Sequence, residues 1–172
     1  MEHAANEFTL ETDFTKMPAF GKIFHRIEQI LTPRYYSGKI CGLGIKLGKE
    51  WVSEIYYLRK GDSCHVTNFY SWKLGKNASD DFRNKFGVSP GEYLVEEIIR
   101  SGIKRIEAFS LKSRTVRYIE LLKKRGHVVE TTGAISKFLS ARFLGGGRAT
   151  QFKFRFDVTP RGIESVKRRR VI

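Results

Sequence analysis

Four histidines and two cysteines are the residues with which this chain would hold a metal or build a nucleophilic dyad, and their spacing serves neither purpose. His3, His25, His65 and His127 are scattered, with no HExxH or CxxC arrangement. Cys64 and His65 are adjacent, which on a strand sends their side chains to opposite faces. No G-x-S-x-G, Walker A or dinucleotide fingerprint occurs. What remains is Asn84-Lys85-Phe86-Gly87-Val88-Ser89-Pro90-Gly91, a glycine-punctuated run leading into GEYLVEEII. Backbone N–H groups at a helix start bind phosphate oxygens with help from the macrodipole, and glycines let the anion come close. Phe86, Gly87, Val88, Ser89 and Gly91 are therefore a candidate pyrophosphate cradle, with Arg83 and Lys85 as counter-charge. The same residues also describe an ordinary helix start, with Ser89 as N-cap and Pro90 in the first turn, and both readings stand.

The elements that must position this run follow from periodicity. Residues 17–31 place Phe20, Ile23, Phe24, Ile27, Ile30 and Leu31 at helical spacing, closed by Thr32-Pro33. Residues 39–47, 51–58 and 64–72 are rich in β-formers and separated by glycine turns, which predicts an antiparallel meander. The stretch 75–89 is polar and glycine-punctuated and reads as a loop. Helix 91–101 follows, ended by Gly102, then strand 103–109 and helix 113–125, with Val116, Ile119 and Leu122 inward and Gly126 as the stop. On that helix Arg114, Arg117 and Arg125 fall away from the apolar stripe, predicting a cationic ridge. Residues 127–140 look extended, Gly145-Gly146-Gly147 reads as a hinge, and 151–157 alternates Phe152, Phe154 and Phe156 with Lys153 and Arg155.

Charge is the informative part of the composition. With 172 residues and 41 % hydrophobic content the chain can build one core, so the expectation is an acidic segment over 1–15, a single domain over 16–160 and a basic tail over 161–172. The whole chain carries +14 and its first 15 residues −4, so residues 16–172 carry +18. Such a surplus predicts a polyanionic partner, nucleic acid first, bound through backbone phosphates. Lys153 and Arg155 on the outward face of their strand, with Lys167, Arg168, Arg169 and Arg170, are the candidate contacts. No apolar run is long enough for a membrane span, the start of the chain is acidic where a signal peptide is basic, and two cysteines make no disulfide scaffold. The expected compartment is the cytoplasm.

Residues 85–127, a glycine-containing loop, a helix, a strand, a second helix and a closing glycine, resemble the GCN5-related N-acetyltransferase superfamily. The resemblance implies an α+β fold: a mixed central sheet of about six or seven strands, flanked by the three helices. It also implies acetyl-CoA or another acyl-CoA as cofactor, its pyrophosphate on the 85–91 loop, with Thr115 at the start of the second family element. The family tyrosine that protonates the departing thiolate falls at Leu122 here, and Tyr118, one turn earlier on the same face, is the substitute. Glu54 on the second meander strand is the candidate general base. The implied reaction is acyl transfer in a cleft where two neighbouring strands part, and a base-modifying role on DNA or RNA would use the basic surface. The alternative is a nucleic-acid-binding protein that keeps the fold without the chemistry.

Overall fold

Two glycine turns set the architecture. Gly48 and Gly61 both adopt φ +61°, a left-handed conformation that costs glycine little, and each folds the chain straight back on itself. They join β2 (Lys39–Leu47), β3 (Glu50–Lys60) and β4 (Ser63–Ser71) into the expected meander. The computed structural model describes residues 7–31, 38–71, 76–111, 120, 122–125, 127–132 and 151–168. The remaining elements are β1 (Phe8–Glu11), a 3-10 turn at Phe14–Lys16, α1 (Ala19–Leu31), α2 (Lys76–Phe86), α3 (Pro90–Arg100), β5 (Arg105–Leu111), β6 (Val128–Thr132), β7 (Gln151–Asp157) and α4 (Pro160–Lys167). They form one seven-stranded sheet in the order β1-β2-β3-β4-β5-β7-β6. Every pair is antiparallel except β4 with β5. This is the mixed, helix-flanked α+β sheet that the sequence implied.

Alternation along the strands separates two faces. Ile55 and Tyr57 of β3, Leu43 and Ile45 of β2, Cys64 of β4 and Ile106 and Ala108 of β5 join Tyr93, Leu94 and Ile98 of α3 in the main core. Glu54 and Tyr56 point the other way, under α1, where Gly21 packs directly on the Tyr56 ring. His65 and Cys64 lie on opposite faces as expected: Cys64 is 3 % exposed in the core, and His65 stands beside Glu107. Burial pushes the Cys64 thiol up to about 12, which removes it as a nucleophile at neutral pH.

Three expectations need correction. The 1–15 segment is not outside the core, because β1 pairs with β2 and Phe8 is buried against Phe82 and Phe86. The 75–89 stretch is not a loop: α2 fills most of it, since Ala78, Phe82 and Phe86 recur every four residues and all three are buried. That stripe is narrow enough to be hidden in a polar composition. The 161–172 segment is no free tail as far as Arg168. Thr159 caps α4 by accepting the Gly162 amide at 3.1 Å, Val166 is buried, and Arg100 donates to the Val166 carbonyl at 3.0 Å.

Candidate functional site

The seam between β4 and β5 is short. Ser63–Val66 pairs in parallel with Arg105–Ala108, and there the ladder ends. β4 continues to Ser71 and β5 to Leu111, no longer paired with each other. The parting coincides with a bulge: Tyr57 faces Val66 and Tyr56 faces Asn68, so Thr67 is the extra residue, and its hydroxyl donates to the Tyr56 carbonyl at 3.0 Å. A bulge bends the strand that carries it, so β4 turns away from β5 at the residue where pairing stops. The result is a slot between two strands of one sheet.

The start of α3 stands at this slot. Gly91, its second residue, is pressed against the ring of Phe69, three residues beyond the last paired residue of β4. Ser89 is the N-cap and Pro90 opens the helix, as the helix-start reading expects, and a full capping box is present. Of the predicted cradle, Gly87 adopts φ +73° and is exposed, and Arg83 and Lys85 are exposed. Phe86 and Val88 are buried instead, 6 % and 3 % exposed, so only their backbone can serve a ligand. Lys85 sits over the rings of Phe8 and Phe86. Thr115 and Tyr118 lie outside the described residues, as do Arg169 and Arg170.

Glu54 is 0 % exposed. The Tyr56 hydroxyl donates to its carboxylate and also lies 3.4 Å from the Pro18 carbonyl. Burial first, and then the Glu54 carboxylate, hold the Tyr56 phenol far above its ordinary value, so it stays a donor. Register places this pair against β4 beyond the parting: Glu54 faces Tyr70 and Tyr56 faces Asn68. The Tyr70 ring packs edge-on to both Tyr56 and Phe20. Tyr56 was missed in the sequence; the signal was Glu54-x-Tyr56, two polar-tipped residues on one strand face.

Two further groups were missed. His65, Glu107, Arg155 and Glu130 stand in one cross-strand row over β4, β5, β7 and β6, on the face away from the main core. Arg155 is thus flanked by two glutamates, and its Nε is buried, which corrects its assignment as an outward cation. Arg125 is the other correction. It turns onto α3, donating to Glu96 at 2.7 Å and lying 3.7 Å from Glu92, because a 1 % exposed carboxylate at Glu96 demands a partner. Leu122, 2 % exposed, lies in the core as its stripe predicts. Lys167 is exposed and pairs with Glu164 at 3.8 Å, Arg168 follows it at the end of α4, and Lys153 lies on β7.

No protein-family model matches the sequence, and no curated protein matches it. Solved structures do. The ribosomal-protein-S18-alanine N-acetyltransferase from Escherichia coli superposes with a TM-score of 0.55 at 11 % identity, covering 89 % of this chain and 95 % of that one. A diaminobutyrate acetyltransferase from Paenibacillus lautus, solved with its substrate and coenzyme A, gives 0.54 at 9 % identity, over 89 % and 96 %. A GNAT family acetyltransferase from Elizabethkingia anophelis with acetyl-CoA bound gives 0.53 at 11 % identity, over 89 % and 99 %. At such identities the likeness speaks for architecture, and it spans nearly the whole chain: this protein has the fold of the GCN5-related N-acetyltransferases.

Proposed function

We propose that the protein transfers an acyl group from an acyl-CoA to a nitrogen nucleophile presented on or beside a nucleic acid. The observation that carries this reading is the parting of β4 from β5 after Val66 and Ala108, with α3 starting over Phe69 on the departing strand. A slot between strands can hold a thin thioester arm, and the positive end of α3 at that slot suits a phosphate. The loop fits such a ligand in part. Nothing lies within 4 Å of a Cβ built on Gly87, and the cap leaves the amides of Val88 and Gly91 unused. Bound there, acyl-CoA would supply an activated carbonyl carbon. The chain's own part is to neutralise phosphate charge with the start of α3, Arg83 and Lys85, and to take the proton of the attacking nitrogen. Glu54, steadied by Tyr56 and opposite Tyr70, is the carboxylate assigned to that proton. Tyr118 is assigned to return one to the leaving thiolate.

The basic surplus supports the choice of acceptor. Among the described residues Arg83, Lys85, Lys123, Lys124, Arg161 and Arg168 are all exposed, and the chain carries +14. A non-catalytic, nucleic-acid-binding protein is the second reading. It is favoured by Glu54 being wholly buried and by Leu122 lying in the core where the family tyrosine would stand.

Thermal melts with acetyl-CoA test the cofactor. At a hundredfold excess over Kd a ligand of the folded state adds about 2.7 kcal/mol, a rise of roughly 5–10 °C for a chain of this size. Because Gly87 is left-handed, Gly87→Asn is the tolerated control and Gly87→Asp the charge-bearing disruption. The rise should survive the first and vanish in the second. No rise in the wild type at millimolar acetyl-CoA defeats the acyl-transfer reading. Binding without turnover on any nucleic acid, free or protein-bound, favours the second. For the acceptor, fluorescence titrations against duplex and single-stranded oligonucleotides should show salt-dependent binding. Replacing Lys167 to Arg170 with alanine should make the salt slope shallower by about one unit per lost phosphate contact. An absence of binding at about 50 mM salt sinks the nucleic-acid assignment.

A further inference from the structure

At the start of α3 a carboxylate occupies the place of an anion. Ser89 Oγ accepts the amide of Glu92 at 3.3 Å, and Glu92 Oε2 accepts the amide of Ser89 at 2.7 Å. The same Oε2 lies 3.7 Å from the Arg125 guanidinium, and Glu92 is 20 % exposed. Glu92 therefore does what a phosphate oxygen would do, taking an amide at the positive end of a helix and facing a cation. The neighbouring backbone leaves little else. Gly87 donates its amide to the Arg83 carbonyl at 2.7 Å, and Pro90 has none to give.

We infer that Glu92 is an internal competitor that sets how tightly this loop holds the pyrophosphate of an acyl-CoA, an inference that rests on the acyl-transfer reading above. Any pyrophosphate on the 87–91 loop comes within about one helical turn of the Glu92 carboxylate, and two negative groups at one helix end repel. The ligand must also draw on the same few donors. The loop thus exchanges affinity for a self-contained cap, and the residue that controls the exchange is on α3 and not among the glycines.

Glu92→Gln separates charge from structure, because glutamine keeps an oxygen for the Ser89 amide within the same capping box. Calorimetric titration with CoA should give a Kd about two- to thirtyfold lower for this variant than for the wild type. Raising the salt should narrow the gap. Pantetheine, which has the thiol arm but no pyrophosphate, should bind both proteins alike. Glu97→Gln, toward the other end of α3, should leave CoA binding unchanged. A melting temperature within a few degrees of wild type shows that the glutamine variant folds. Equal CoA affinities overturn the inference while leaving the acyl-transfer reading in place, and so does a gain that extends to pantetheine. If neither protein binds CoA, the acyl-transfer reading falls and the inference with it.

Discussion

The two halves of the sheet are held in different ways. β1 to β4 form an antiparallel run in which β2 pairs with β3 from Lys39 to Leu47, and β3 with β4 from Ser53 to Lys60. β5, β7 and β6 form a second antiparallel set, and four residue pairs join the two. The backbone of Asp62 reinforces this seam, its carbonyl accepting the amides of Lys104 at 2.7 Å and Arg105 at 3.2 Å. A long seam would have closed the slot; a missing one would have left two sheets with separate cores. The candidate site exists because the join is strong at one end of the strands and absent at the other.

The largest expected effect comes from weakening the seam. Ile106 is 1 % exposed and pairs with Cys64 across it, so Ile106→Ala should cost about 2–5 kcal/mol. Ile55→Ala in the meander should cost a similar amount, but hydrogen exchange should tell them apart. The seam variant should open β5, β6 and β7 while the meander amides keep their protection. Uniform loss of protection would mean the halves are one cooperative unit and the contrast drawn above is wrong. Tyr56→Phe probes the other side of the slot. It removes the phenol that donates to the buried Glu54 carboxylate and should cost about 1–3 kcal/mol in denaturant unfolding, whereas an unchanged midpoint would show Glu54 to be satisfied elsewhere.

A smaller effect is expected from pH in the second half. Burial, with Arg125 adding to it, lowers the His127 pKa below 6.5, and its ring lies against Phe156 and Gly162. The unfolded chain therefore binds the proton more readily, and this contribution is full above pH 6.5 and declines as the pH falls through that value toward the lowered one. Melting temperature should drop between pH 7 and 5.5, and His127→Gln should flatten that part of the curve. An unaltered slope would assign the dependence to other groups. The least effect belongs to Lys167→Ala, which breaks an exposed pair with Glu164 and should change stability by no more than about 0.5 kcal/mol. A larger loss would show that α4 depends on its charges and not on Gly162 and Val166.

Local chemistry was legible without the fold. The bounds of β2 and β7 agree with the alternation in 39–47 and 151–157, and Ser89 and Pro90 occupy the cap and first turn that their types predict. These features are decided by neighbours a few residues apart, where periodicity and capping act. Whether Glu54 faces water or a tyrosine, whether Arg125 is a free ridge cation or the partner of Glu96, and where β4 leaves β5 were not legible. Each depends on residues brought together from distant parts of the chain, and a charge shows its partner only once the surfaces that bury it have met. Residue types and spacing determined the strands, the helix start and the basic surplus. Tertiary packing alone decided which charges are spent inside the molecule, because burial makes an unpaired charge too costly to leave.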